Sequence, residues 1–275
     1  MKIFRLVPKI DVKNHQLVKG VRFEGLRVLG APEEFAFKYY NDGADEIIYH
    51  DVIASLLGRS ALYDLVSNTA KKIFIPLTVS GGIRNLNDIY KMLKSGADRI
   101  AINSHAHQNP GFIKEAVKEF GSSTIVISLD VALVDGKYKL TYENGKNIHE
   151  QNIFDWINLM QDSGVGEFSI SAVHKDGTKT GFDLNLLKIL DNKIKIPFIF
   201  GSGIGQLSHL DDLKKFKNLK GIILSSILHY NYISSNYSDD SGNTEYIKEN
   251  FDNKSKKIKL SAIKTHLASR GLICR

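Results

Sequence analysis

Residues 75–83 read Ile75-Pro76-Leu77-Thr78-Val79-Ser80-Gly81-Gly82-Ile83, and 121 positions later the chain reads Ile196-Pro197-Phe198-Ile199-Phe200-Gly201-Ser202-Gly203-Ile204. In each stretch a proline opens a short apolar run and small residues close it, as a buried strand does on entering a tight turn. Other landmarks keep nearly the same spacing. Gly43-Ala44-Asp45-Glu46 resembles Gly164-Val165-Gly166-Glu167, Ile102-Asn103-Ser104 matches Leu224-Ser225 in position, and Ile10-Asp11-Val12 matches Leu129-Asp130-Val131. The chain reads as two related halves, about 1–120 and 121–275.

Apolar runs at 3–12, 46–52, 73–79, 99–103, 124–130, 167–172, 197–201 and 221–225 alternate with helix-like stretches such as 32–41, 85–94, 109–120, 153–162 and 183–190. Continuous Val/Ile/Leu runs mark strands covered on both faces, and such strands pair in parallel. Eight of them in a single domain of 275 residues predict an α/β fold, a (β/α)8 TIM barrel of two (β/α)4 half-barrels. The stretch 229–257, rich in Asn, Ser, Asp and Tyr, breaks the pattern and is expected to be a polar insertion after the eighth strand.

Hydrophobic residues make up 43% of the chain, enough to fill one large core. The net charge of +7 is spread along the sequence, with lysine runs only at 214–217 and 254–259, so no nucleic-acid footprint is expected. A basic surface suits small anionic substrates instead. No apolar run approaches the ~18 residues of a membrane span, and the first residues lack the pattern of a signal peptide. With Cys274 as the one cysteine there is no intrachain disulfide, and a cytoplasmic location is expected.

In such barrels chemistry sits at the C-terminal ends of the strands. Asp11 ends the first strand and Asp130 the fifth, so they face each other across the mouth. A carboxylate after an apolar run is costly without a partner or a task, and two at equivalent positions suit paired acid and base catalysis. The turns Ser80-Gly81-Gly82 and Gly201-Ser202-Gly203 let backbone N–H groups approach an anion, and Asn103, Ser104, Ser225 and Ser226 add donors. Two phosphate sites flanking the acids are expected, hence a substrate with a phosphate at each end. Segment 174–181, with Asp176 and Gly177, reads as a mobile polar loop of the mouth; Lys19-Gly20 reads as another, with Lys19 reaching over a bound anion. His50 and His174 are expected as polar lining. No metal-ligand spacing, Walker A motif or dinucleotide fingerprint occurs, so neither metal nor cofactor is expected.

At the opposite end, Arg5, Glu46, Arg99 and Glu167 begin the first, second, fourth and sixth strands. Charges at that depth must pair, and four of them can form a ring of salt bridges, either a static plug or a gate over an axial passage.

Over residues 1–230 and the last helix the chain resembles the cyclase subunit family of imidazole glycerol phosphate synthase, the HisF type. The resemblance is carried by Asp11-Val12-Lys13, Val18-Lys19-Gly20, Gly43-Ala44-Asp45-Glu46, Asp51 with Ala54-Ser55, Gly81-Gly82-Ile83 and Gly96-Ala97-Asp98-Arg99. Asn103-Ser104, Asp130, Asp176-Gly177-Thr178, Gly203 and Ser225 complete it. It implies that ammonia from a glutaminase subunit of the HisH type, docked at the N-terminal barrel face, travels along the axis to a doubly phosphorylated substrate. Asp11 and Asp130 then serve as acid/base residues for cyclisation and cleavage, the four charges match the family's gate, and Asp98 lies at the subunit interface. Departures fall in the mouth: Lys9 stands where the family usually has Cys, Ser80 where Gly is common, Leu224 where a small Ala is usual, and 147–150 replaces the usual Thr-Gly after the fifth strand. Stretches 23–30 and 54–59 resemble the branch found with lipopolysaccharide and surface-sugar biosynthesis, which implies ammonia delivery to a sugar-modifying amidotransferase with little cyclase activity. The sister aminoaldose-ketose isomerase shares the two-Asp plan, and the charged quartet and Lys19-Gly20 argue against it.

Overall fold

In the computed structural model the described residues are 2–54, 62–236 and 258–274. Eight strands, β1 (Lys2–Lys13), β2 (Ile47–Asp51), β3 (Leu77–Ser80), β4 (Arg99–Ile102), β5 (Ile125–Val134), β6 (Glu167–Ala172), β7 (Phe198–Gly201) and β8 (Leu219–Leu224), pair in parallel in chain order. β8 returns to β1, with Arg5 opposite Gly221 and Val7 opposite Ile223, so the sheet closes into the expected (β/α)8 barrel.

Helices α1 (Pro32–Asn41), α2 (Tyr63–Ala70), α3 (Leu86–Lys94), α4 (Ser104–Gln108), α5 (Gly111–Phe120), α6 (Ile153–Asp162), α7 (Leu184–Lys193), α8 (Ser226–Asn236) and α9 (Leu260–Ser269) surround it. Two short 3₁₀ turns, Leu207–Leu210 and Leu213–Lys215, stand between β7 and β8. Polar caps start several helices: Asn85 accepts from the Asp88 N–H at 3.0 Å, and Asp183 from the Leu186 N–H at 2.9 Å.

The strands alternate between two environments. Leu6 and Ile10 of β1 join the large core under the helices, whereas Arg5, Val7, Lys9 and Asp11 take the other face. Val7, Ile48, Ile199 and Ile223 form a small apolar cluster separate from that core, inside the barrel between its charged floor and its polar mouth.

Two expectations change. Lys19-Gly20 is not an open loop but part of a hairpin, Gln16–Val21 paired antiparallel with Glu24–Gly30; β5 carries a similar hairpin through Lys137–Tyr142. The polar insertion begins later than residue 229, because 229–236 complete α8. Leu228, His229, Tyr230 and Ile233 are buried there, and that burial, invisible in a composition rich in Asn and Ser, holds the helix on the barrel. Residues 237–257 and 55–61, with the Ser55–Arg59 part of the surface-sugar resemblance, lie outside the described residues. No helix among the described residues is long and apolar enough to cross a membrane.

At the barrel floor, two aspartates staple neighbouring strands. Asp45 receives the Leu6 N–H at 2.8 Å and returns its own N–H to the Leu6 carbonyl at 3.0 Å; Asp98 does the same with Leu77, at 2.8 and 2.9 Å. Asp98→Ala strands the Leu77 N–H and should cost about 1–3 kcal/mol. Urea denaturation checks this, and an unchanged midpoint would refute the staple.

Candidate active site

β1 and β5 stand four strands apart in either direction around the barrel, so Asp11 and Asp130 oppose each other at its C-terminal end. Both are buried, and their surroundings differ. Asp11 lies 3.5 Å from the Lys9 ammonium and 3.6 Å from that of Lys19. Burial pushes its pKa up, but these two cations outweigh burial and hold the carboxyl down at about 2. Asp130 has no such partner and accepts one hydrogen bond, from the Asn103 amide at 2.7 Å. Burial, assisted by Asp11 and Asp176 and opposed by Lys9 and that hydrogen bond, pushes its carboxyl up to about 6. One oxygen of each, and the Asn103 side-chain oxygen, are buried without a hydrogen-bond partner.

Lys19 does not reach over the mouth. It is 2% exposed and donates to Asp176 at 2.6 Å, which ties the first hairpin to the turn after β6. The Arg22 N–H adds a bond to the Asp176 carbonyl at 3.0 Å. The expected loop 174–181 opens with a 3₁₀ turn, Val173–Lys175, and buries Asp176. His229 is buried and His50 half-buried close by, and desolvation, joined at His50 by Lys9 and at His229 by Lys19, holds both imidazoles down at about 3 and therefore neutral. His174 turns away to Asp183, 2.8 Å from its carboxylate.

Two clefts flank the acids. The first is lined by His50, Ser80, Gly81, Gly82, Asn103 and Ser104, with Glu143 and Asn144 of the second hairpin on its rim. The second is lined by Lys9, Asp11, Asp176, Gly177, Gly203, Ser225 and Ser226. Every expected binding residue except Lys19 thus falls into one cleft or the other. The glycines are required: Gly81 has φ +103°, and a Cβ there would come within 2.5 Å of the Asp51 carbonyl; Gly203 has φ +88°, and a Cβ would meet the Gly181 carbonyl at 2.2 Å. Ser202 is held at φ +88° as well, a strained value for a residue with a side chain. The hydroxyls differ from expectation in one respect. Ser225 donates to the Lys9 carbonyl at 3.1 Å, so its proton is spent on the barrel wall. Ser104 accepts from the Glu143 N–H at 3.1 Å and keeps its proton for a ligand.

Residue patterns alone missed His229, whose ring joins the Tyr39 hydroxyl at 2.6 Å to the Lys9 carbonyl at 3.1 Å and so steadies β1 from behind. Its signal was lost inside a polar stretch. Glu143 and Asn144 were missed because a hairpin brings them to the mouth from a distance in sequence.

The floor of the barrel carries the expected ring. Arg5 bridges Glu46, at 2.6 Å, and Glu167; Arg99 bridges the same two, with Glu46 at 3.4 Å. Both carboxylates are about as buried as the core, 1% and 2% exposed, and Thr78 donates to Glu46 at 2.6 Å. Asp98 lies on this end of the barrel, in the staple described above. No group of three or more His, Cys, Asp or Glu among the described residues is placed to hold a metal ion.

A profile of the family described as "Histidine biosynthesis protein" matches residues 5–234. The imidazole glycerol phosphate synthase subunit HisF of Legionella pneumophila is 40% identical over 212 residues, 77% of this chain and all of that protein. The chain belongs to this family. The subunits of the same name from Staphylococcus saprophyticus subsp. saprophyticus and Bacillus cereus are 39% and 38% identical, each over 82% of this chain and 90% of their own length. The profile match on this HisF-type chain ends at residue 234, near the close of α8.

The opposed pKa shifts carry opposite consequences for stability. The Asp130 carboxyl sits above its ordinary value of 3.8, so its ionisation weighs against the folded state once the pH rises past that value. Asp11 sits below 3.8, so it stabilises the fold at higher pH and loses that effect as the pH falls towards 2. At pH 8, Asp130→Asn should stabilise and Asp11→Asn destabilise, each by about 2–3 kcal/mol. The Asp130→Asn gain should vanish near pH 4. Denaturant melts at the two pH values decide it, and shifts of the same sign would sink this account.

Proposed function

We propose that this chain is the cyclase subunit of an imidazole glycerol phosphate synthase, closing an imidazole ring with ammonia and cleaving a C–N bond of a doubly phosphorylated substrate. The observation that carries the reading is the mouth itself: two opposed carboxylates whose pKa values are pushed in opposite directions, between two glycine-walled clefts. Each cleft takes one phosphate on backbone N–H groups, and the body of the substrate spans the acids. Asp130, close to neutrality in its titration, donates a proton to the oxygen that leaves as nitrogen adds. Asp11, held ionised, receives the proton that the attacking nitrogen sheds. The buried oxygen of each carboxylate that accepts no hydrogen bond is the atom available for that exchange.

A HisH-type glutaminase subunit supplies the ammonia at the N-terminal face. Its route is the barrel axis, past the ring of Arg5, Glu46, Arg99 and Glu167 and the apolar wall of Val7, Ile48, Ile199 and Ile223. Such a wall suits neutral ammonia and disfavours ammonium, whose burial would be costly. The 3.4 Å contact of Arg99 with Glu46 is the longest in the ring and the place where it opens with least loss. The absence of disulfide pairing suits a cytoplasmic enzyme.

A second reading is favoured by one observation: two of the departures stand in the mouth, Lys9 lining the second cleft and Ser80 the first, while the ring is closed. On that reading the chain delivers ammonia to an amidotransferase of surface-sugar biosynthesis and has lost cyclisation.

The purified chain should turn over the doubly phosphorylated precursor with ammonium salts alone, and Asp11→Asn or Asp130→Asn should each lower kcat by roughly 10²–10⁴-fold. Absence of turnover in the unsubstituted chain, with substrate binding intact, would remove cyclisation and leave the second reading. For the ring, Arg99→Ala should spare turnover driven by external ammonium and change turnover driven by glutamine through the partner. Equal losses in both assays would make the ring a plug.

A further inference from the structure

Lys9 and Asp11 share the inner face of β1, and Lys9 is 8% exposed at the wall of the second cleft. Its ammonium lies 3.5 Å from Asp11 Oδ1 and 5.6 Å from the centre of the Phe23 ring, and among the described residues it donates no hydrogen bond. The other cation of the mouth is differently placed. Lys19 spends itself on Asp176 at 2.6 Å, with Asp11 at 3.6 Å, and lines neither cleft. A buried ammonium carries three donors and is costly to leave unpaired. The backbone of Lys9 is fixed as well: its carbonyl is held by the Ser225 hydroxyl and by His229, each at 3.1 Å. Across the same cleft stand Ser202 and Gly203, both at φ +88°, in a turn whose N–H groups can face an anion, with Ser226 at the start of α8.

The charges favour an anionic occupant. Lys9 and Lys19 balance Asp11 and Asp176, so the cleft presents unspent donors without a net negative charge. Without Lys9, Asp11 and Asp176 would share Lys19 alone, and an incoming dianion would meet an excess of negative charge. We propose that Lys9 is a phosphate-binding residue of the second cleft, its ammonium contacting the phosphate directly and fixing that end of the substrate beside Asp11. The proposal rests on the reading above only in taking the second cleft as an anion site. It makes recognition of this end of the substrate depend on a side-chain charge as well as on backbone N–H groups, and so favours a phosphate over a neutral end group.

The test is a titration of the isotope-labelled full chain with inorganic phosphate, followed at the backbone amides of Gly203 and Ser226 in the second cleft. Gly82 and Ser104 of the first cleft serve as the internal reference. Lys9→Met should raise the dissociation constant at the second cleft by roughly 10–100-fold, the range of one charge-assisted hydrogen bond. The first cleft should stay within about twofold, and Lys9→Arg should restore most of the affinity. If Lys9→Met does not fold, Lys9→Gln, which keeps part of the stem without the charge, replaces it. Unchanged phosphate affinity at Gly203 in the neutral variant would overturn the proposal and leave Lys9 as a counter-ion of Asp11; equal weakening at both clefts would overturn it too. No turnover enters the titration. A chain that binds phosphate through Lys9 but does not cyclise refutes the proposed reaction alone, whereas a cyclising chain indifferent to Lys9 refutes this proposal alone.

Discussion

Arg5 and Arg99 each reach both Glu46 and Glu167 across the floor of the barrel, and that closed exchange is the constraint on which the arrangement above it depends. Four charges at the starts of β1, β2, β4 and β6 can be buried only if they meet, and they meet only if those strands hold a fixed register. Once Arg5 points inward, the alternation of β1 sends Val7, Lys9 and Asp11 inward as well. A one-residue slip would place Leu6 and Ile10 in the mouth and the carboxylate under the helices. The floor therefore sets the mouth, about six residues up the same strand.

At the mouth the same accounting of charge produces chemistry. Three carboxylates, Asp11, Asp130 and Asp176, share a small buried volume with two ammonium groups. Both cations stand on the β1 side, so Asp11 beside them is held ionised and Asp130, across the barrel, carries the unpaired burial. A difference in pKa between two otherwise equivalent acids thus follows from where two lysines lie, with no difference in the acids themselves. Asp130 pays for this in folding stability, as functional groups in buried sites commonly do.

The barrel, its strand order and the opposed aspartates were legible in the sequence because each rests on a local regularity: continuous apolar runs, glycine turns, and a repeat that places landmarks at a constant offset. The charged ring was legible for the same reason, since charges inside an apolar strand announce a partner. What escaped detection depends on contacts distant in sequence. Lys19 reads as an exposed loop residue until the hairpin 16–30 folds back and Asp176 arrives from the turn after β6. His229 reads as part of a polar insertion until α8 presses it against Tyr39 and the Lys9 carbonyl. Composition measured the insertion correctly as polar, but a helix needs only a few buried residues to dock, and His229, Tyr230 and Ile233 on one side of α8, with Leu228, supply them.

The repeat also explains why the site is not symmetric. Two half-barrels give two aspartates, two glycine turns and two hairpins, and a chain that kept only these would present two equal carboxylates to its substrate. Two positions before Asp11 stands Lys9; two positions before Asp130, on the same inner face, stands Ser128, buried and uncharged. That difference between equivalent positions, joined by Lys19 of the first hairpin, places cations beside one acid and withholds them from the other. On the proposed reading, an acid and a base coexist in one mouth, and a substrate with similar ends is given a direction. The symmetric scaffold supplies two equivalent acids and two clefts, and the departure from symmetry at residue 9 makes them electrostatically unequal.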